Sequence, residues 1–409
     1  MRLLTWLGRS LLLSAVIMAV GLSGCGDDNG AGSGGGNNNG GGGGGSKFTD
    51  ERDGKTYKKV TIGGAVWMAE NLNYETSSGS WCYDDKPSNC TKYGMLYTWR
   101  AAIAACPVGW HLPMDKEWDA LVEAAGGQNV AGSKLKSKKG WAGYSGISSS
   151  DEYGFSALSG GYYSPYQFAA GGTFKSMDSS GDWWTATKRS SDLAWSMFMS
   201  YKSNFASGGN SSKRIGNSVR CVEGRGGPAV YDDPIVYGDQ TYKTVKIGGK
   251  TWMAENLNVE TADSWCYENS ADNCAKYGRL YTWAAAKTAC PNGWHLPDEI
   301  EWRKLVEAVG GIVSYGENDI AGMVLKSKSG WNNSQNGSDN YGFSALPGGS
   351  GNPTGGFGSV GYRGYWWTTA KTNAGGVWYR YMSYDFEDVG QSTTENENTG
   401  YSARCVRDD

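Results

Sequence analysis

The chain has 409 residues, with 38 Lys and Arg against 41 Asp and Glu and a formal net charge of −3. At about 100–200 residues per domain, this length suggests two or three domains, each able to hold a core. The charge balance argues against a nucleic-acid partner, which calls for a basic face, and two histidines leave little for a histidine-rich metal site or a His-driven hydrolase.

Residues 1–24 read as a lipoprotein signal peptide to be kept out of the fold. Arg2 and Arg9 supply a positive start, and 11–22 (LLLSAVIMAVGL) is an uncharged run too short to span a bilayer comfortably as a helix. Leu22-Ser23-Gly24-Cys25 resembles the bacterial lipobox, which implies cleavage before Cys25 and lipidation of that residue. More than one acyl chain matters here, because a single chain anchors only marginally. Gly26 after the cysteine resembles the outer-membrane sorting signal, and Asp27-Asp28 resembles an acidic signal for export to the cell surface. The expected address is therefore the outer membrane, cell-surface exposed, with the lipid as the only membrane contact. Residues 25–46 carry the lipidated cysteine and a Gly/Asn-rich tether with twelve glycines between 26 and 46; as a random coil it would span about 25 Å.

Beyond the tether the chain repeats itself. VTIGGAVWMAENLN at 60–73 matches VKIGGKTWMAENLN at 245–258, and CPVGWHLPMDKEW at 106–118 matches CPNGWHLPDEIEW at 290–302. WCYDDKPSNCTKYGMLYTW at 81–99 matches WCYENSADNCAKYGRLYTW at 265–283, and YGFSAL, WWT and RCV recur farther on in the same order. The period is about 184 residues, as from Cys82 to Cys266, too long for a solenoid unit. The reading is two independent domains, 47–223 and 235–409, with a short semi-rigid linker at 224–234.

Each copy has four cysteines: Cys82, Cys90, Cys106 and Cys221, then Cys266, Cys274, Cys290 and Cys405, leaving Cys25 as the ninth. An even set at fixed spacing in an exported chain reads as disulfides. Four cysteines allow three connectivities; the favoured one is Cys82–Cys90 with Cys106–Cys221, and likewise Cys266–Cys274 with Cys290–Cys405. The long bridge would stabilise by about 4–5 kcal/mol on the chain-entropy model.

The predicted class is α+β, with two short helices per domain, short antiparallel strands and long Gly-rich loops. Residues 60–62 and 66–68 flank Gly63-Gly64 as a tight hairpin. A helix is predicted over 98–105, stopped by Pro107. Another carries Trp118, Leu121, Val122 and Ala125 at helical spacing, closed by Gly126-Gly127. In the second copy Asp298 and Glu301 form a capping-box pattern ahead of Trp302, Leu305, Val306 and Val309.

The combination of IGGxxWMAENLN, CPxGWHLPxxxEW, YGFSAL, WWT and SxRCV resembles the Fibrobacter succinogenes major paralogous domain, over nearly all of both repeats. Copy one departs slightly, with Ser159 for Pro347 and Asp182 for Tyr365. The element order looks like the C-type-lectin-like fold, whose superfamily includes sugar-binding lectins, adhesins and the formylglycine-generating oxidase. A shared fold does not carry function with it.

The candidate chemistry follows from residue types. His111 and His295, in GWHLP, read as satisfying backbone groups at a buried corner. Glu70, Glu117, Glu255 and Glu301 have no spacing that sets two carboxylates across a cleft, as a glycosidase requires. The reactive cysteine pair of the oxidase relatives finds no counterpart, because every cysteine after the leader has a structural partner. The EPN, QPD and WND motifs of calcium-dependent lectins are absent; WNN at 331–333 and Asp339 are faint echoes, so calcium is left without support and no cofactor is expected.

What remains is aromatic side chains in the loops 159–182 and 347–365. Tyr162, Tyr163, Tyr166 and Phe168 in copy one, and Phe357, Tyr362 and Tyr365 in copy two, are the ligand-binding candidates, with Trp184 and Trp367 beside them. Flat rings bury apolar sugar faces, and neighbours along a strand point to opposite sides, so one tryptophan of each WW pair could be exposed. The expected function is a surface-displayed, non-catalytic module binding polysaccharide or another glycan; the alternative is a protein-binding surface component with variable recognition loops.

Overall fold

Gly63 and Gly64 both sit at positive φ (61° and 81°), a backbone that glycine adopts without strain. They close the hairpin between the strands Thr56–Ile62 and Ala65–Met68, with Ile62 opposite Ala65. Repeat two builds the same turn at Gly248-Gly249, between Gln240–Ile247 and Lys250–Met253. The computed structural model describes residues 46–165, 172–224, 229–310 and 320–409; Cys25, Tyr166 and Phe168 lie outside them.

Each repeat holds a five-stranded and a six-stranded sheet. The smaller sheet sets the hairpin against the C-terminal strand of its repeat, with Val222 opposite Trp67 and His111 in repeat one, and Val406 opposite Trp252 and His295 in repeat two. The larger sheet is centred on Ser180–Lys188 or Arg363–Lys371, flanked by the next strand on one side and a short parallel partner on the other. Helices and small sheets within two tandem domains make an α+β protein. The disulfides are Cys82–Cys90, Cys106–Cys221, Cys266–Cys274 and Cys290–Cys405.

The described residues hold four α-helices per repeat, not two. Trp99–Ala105 and Asp115–Ala124 match the expected pair, and Thr98 caps the first by accepting from the Ala101 amide at 3.3 Å. The additional helices are Pro87–Tyr93, begun by a proline at its first position, and Gln128–Leu135. Both are about two turns long, shorter than an isolated helix needs for stability in water, so packing and the Cys82–Cys90 bridge hold them. In repeat two, Asp298 accepts from the Glu301 amide at 2.8 Å while Glu301 accepts from the Asp298 amide at 3.0 Å. Repeat one keeps only the glutamate half, Glu117 accepting from the Met114 amide at 2.8 Å, because methionine offers no oxygen.

The core is indole-rich. Trp67, Trp118 and Trp183 gather around Phe155, and Trp252, Trp302 and Trp366 around Phe343, with neighbouring centroids 4.9–6.2 Å apart. At its centre Asn71 Oδ1 accepts from Trp183 Nε1 at 2.9 Å and from Arg220 Nη2 at 2.8 Å, while its Nδ2 donates to the Tyr93 carbonyl at 2.9 Å. Asn256 does the same for Trp366, Arg404 and Tyr277. Each arginine also donates to the carbonyl of the core phenylalanine and is fully buried, which lowers its pKa to about 9. The asparagine of AENLN and the arginine of SxRCV are thus one buried polar node; Arg220 Nε also reaches Asn71 at 3.2 Å, whereas Arg404 Nε has no hydrogen-bond partner among the described residues.

Two expectations about the joint are overturned. Residues 230–237, partly assigned to a linker, form a strand of repeat two, Val230 opposite Lys246 and Tyr237 opposite Gln240. Pro234 falls where the register shifts between Asp232 and Ile235, a bulge that tolerates a residue without an amide hydrogen. Nor are the repeats independent: residues 45–409 are one compact unit. Ile103, Leu112 and Met114 of repeat one line a small cavity together with Val309, Ile320, Val324 and Tyr341 of repeat two. Beside this apolar seam Glu387 takes Lys188 at 3.3 Å and Lys213 at 3.4 Å, and Arg100 donates to the Asn336 carbonyl at 2.9 Å.

Candidate functional site

The central strand of the larger sheet is covered on both faces, and this decides the fate of the tryptophans. Trp183 packs toward Trp118 on the helix Asp115–Ala124, while on the helix Trp99–Ala105 Trp99 donates its Nε1 to the Thr185 carbonyl at 2.8 Å. Strand alternation holds, but neither side faces water. Trp184 and Trp367, expected as ligand-binding candidates, are fully buried and donate to the carbonyls of Tyr97 and Tyr281 at 2.7 Å each. Trp331 is buried as well and donates to the Ala345 carbonyl at 3.1 Å; half-buried Trp141 donates to the Ala157 carbonyl at 3.0 Å.

In repeat one Tyr163 is half-buried between Trp81 (centroids 4.2 Å, 23° between planes) and Phe174 (5.2 Å), and its hydroxyl accepts from the Gly172 amide at 3.1 Å. Those contacts pack the ring against its own repeat. Tyr162, also half-buried, sits opposite Lys175 on the adjoining strand.

Repeat two is different. Tyr365 stacks on Tyr401 with centroids 4.9 Å apart and 19° between planes. Tyr379 lies 4.9 Å from Tyr401 and 6.0 Å from Tyr365, and Tyr381 lies 6.5 Å from Tyr365. Cross-strand register explains the cluster: Tyr365 faces Tyr381 and Trp367 faces Tyr379, so the four side chains share one side of the sheet. Tyr401 is buried at the base, and Tyr365, Tyr379 and Tyr381 are half-buried above it. Burial raises the pKa of Tyr381 and Tyr401, with neighbouring carboxylate and tyrosine charge adding to it. Arg363 bonds to Tyr365 and is raised for that reason first. The result is a row of phenol rings with a guanidinium at its edge.

Tyr362 is 48 % exposed, edge-on to Tyr384 at 5.3 Å, and Phe357 is half-buried against Tyr267 at 5.2 Å. Of the expected aromatic residues, the fold thus unites Tyr365 and Trp367 and leaves Phe357 and Tyr362 apart. Tyr379, Tyr381 and Tyr401 were missed. The alternating Tyr-Arg-Tyr of 379–381 was the available signal, a strand that sends both tyrosines to one face. At the corresponding positions repeat one carries Asp182, Ser196, Phe198 and Asn217, so it has no such row.

Both histidines meet carboxylates. His111 Nε2 lies 3.0 Å from Glu117, the capping residue. His295 Nε2 lies 3.0 Å from Glu301, and its Nδ1 lies 2.5 Å from Asp408. Desolvation would lower the pKa of His295, but bonds to Asp408 and Glu301 together outweigh it and hold the imidazolium above its ordinary value. Glu70 and Glu255 accept from the amides of Lys58 and Lys243 at 2.8 Å each, which ties the AENLN segment to its neighbouring strand.

Residues 60–223 and 245–407 match the family model described as the Fibrobacter succinogenes major domain. Neither a curated protein nor a solved structure matches the chain. With both repeats matched almost end to end, the chain belongs to the Fibrobacter succinogenes major domain family and carries that domain twice in tandem.

Proposed function

We propose that this protein is a non-catalytic glycan-binding lipoprotein, held at the cell surface by a lipid on Cys25 and presenting two C-type-lectin-like domains. The tyrosine row of repeat two carries the reading. Three half-buried phenols over a fourth offer flat apolar faces to pyranose rings, hydroxyls that donate and accept, and little side-chain entropy to lose on binding. Arg363 and the exposed Tyr362 nearby in sequence add polar reach. Repeat one, with Asp182 and Asn217 in place of stacked rings, serves a different ligand or a structural end. The lipobox-like LSGC and the glycine-rich tether support the address, and the terminal-strand pairing supports the fold assignment.

The test is a pull-down of the full-length protein on insoluble cellulose, on xylan and on a glycan panel, with and without EDTA. Saturable binding that soluble sugar competes away is expected, and the Tyr365→Ala/Tyr381→Ala variant should weaken it about tenfold if the two rings together supply about 1.4 kcal/mol. A blank across all glycans would sink the reading and turn the search to surface proteins as partners. Loss of binding in EDTA would point to a calcium ion instead.

A further inference from the structure

Between the repeats lies an open groove of about 900 Å³. It is continuous with the seam already described, so its two walls are held by Arg100 on the Asn336 carbonyl and by the paired lysines on Glu387. Its size falls within the range of small-molecule sites, and its lining mixes polar side chains, such as Ser78 of repeat one and Asn336 of repeat two, with apolar ones such as Val108 and Met323.

Its charge is not balanced. Arg52 is neutralised by Asp50, which takes its Nε at 2.9 Å and its Nη2 at 2.7 Å. Asp339 brings one carboxylate to the lining, hydrogen-bonded by the Ser344 amide at 2.7 Å and hydroxyl at 2.5 Å and close enough to feel the Lys328 charge, so two cations, Arg100 and Lys328, face one anion. Arg100 and the exposed Lys328 form no ion pair among the described residues. The carboxylate acting on Arg100, Glu387, is already shared by Lys188 and Lys213. Two rings complete the lining: Tyr74 from repeat one, and Tyr231, 57 % exposed, from the strand that opens repeat two.

We propose that this groove is a binding site for an acidic saccharide, with Arg100 and Lys328 meeting its carboxylates, Tyr231 covering a sugar ring and the hydroxyl- and amide-bearing side chains matching its hydroxyls. Cationic side chains without a carboxylate partner recruit anions, and a guanidinium donates two parallel bonds to a carboxylate. The site needs both repeats, which gives the tandem arrangement a purpose neither copy has alone. The inference goes beyond the tyrosine row and does not depend on it.

The experiment is isothermal titration of the full-length protein with oligogalacturonate, set against xylohexaose as a neutral saccharide and poly-glutamate as a non-sugar polyanion. Oligogalacturonate should bind, weaken in high salt, and weaken about tenfold in Lys328→Glu, a loss of about 1.4 kcal/mol. Arg100→Gln, which keeps a donor toward Asn336, should weaken it comparably, while Tyr365→Ala/Tyr381→Ala should leave it unchanged. The proposal is overturned by absence of binding, by equal affinity for poly-glutamate or xylohexaose, or by wild-type affinity in both groove variants. Loss of oligogalacturonate binding in the Tyr365/Tyr381 variant alone would move the acidic saccharide to the tyrosine row and equally overturn it.

Discussion

Tyr365 and Tyr401 stack at 4.9 Å across the parallel pair of strands in repeat two, where repeat one places Asp182 and Asn217. The same backbone therefore holds an aromatic pair in one copy and a carboxyl beside an amide in the other. Among the described residues Asn217 Nδ2 is buried without a partner, and the Asp182 carboxylate takes the Ser180 hydroxyl at 2.9 Å. Sheet geometry tolerates both solutions because the neighbouring strands and the helix beneath are unchanged.

Burial pushes the Asp182 carboxyl up to about 6, against the Ser180 bond, which lowers it. The folded value lies above the unfolded one near 3.9, so the native state keeps the proton longer. Burial of this group is without cost below about pH 4, and stability falls as pH rises through about 6. Asp182→Asn should remove that fall and stabilise by about 1–2 kcal/mol at pH 8. Chemical denaturation at pH 4 and pH 8 reads it; an unchanged difference between the two pH values would show the carboxyl to be solvated.

Lys326 is buried at the seam, donating to the carbonyls of Ser383 and Phe386 at 2.8 Å each. Burial first, then the Arg100 charge, lowers it to about 7. The unfolded chain keeps its proton to near 10.4, so the unfolded state binds more protons across that window and stability rises with pH from about 7 to 10. Lys326→Met should flatten this rise, measured as denaturation midpoint against pH. A slope identical to wild type would contradict the assignment.

Asn71 satisfies an indole, a guanidinium and a carbonyl at once. Asn71→Ala leaves Arg220 charged and underpaired in the core, at a cost of about 3–5 kcal/mol, and Asn256→Ala should do the same in repeat two. A loss under about 1 kcal/mol would mean that water replaces the amide.

The two bridge types differ in loop length, with separations of 115 and 8 residues. On the chain-entropy model, removing Cys106–Cys221 by paired serine substitution should cost about 5 kcal/mol, and removing Cys82–Cys90 about 2.5 kcal/mol. Thermal unfolding of the two variants tests the order; reversal would place the stabilising effect of the short bridge in the native helix Pro87–Tyr93 rather than in the unfolded chain.

Much of the architecture was written locally and could be read there. The glycine pair dictates its hairpin through positive φ, Asp298 and Glu301 cap a helix through bonds three residues apart, and the recurrence of motifs declares two domains before any contact is known. These features depend on backbone conformation within a few residues. Exposure does not. Trp183 and Trp184 point to opposite faces as alternation requires, yet both are buried because helices from distant segments cover both sides. The stack of Tyr365 on Tyr401, the node joining Asn71 to Arg220, and the charged groove at the seam each join residues that only strand order and repeat packing bring together. The sequence by itself determined the elements and their duplication; tertiary structure decided which rings meet, which face water and where the unpaired charge collects, because burial is a property of what lies above a side chain in space rather than beside it in the chain.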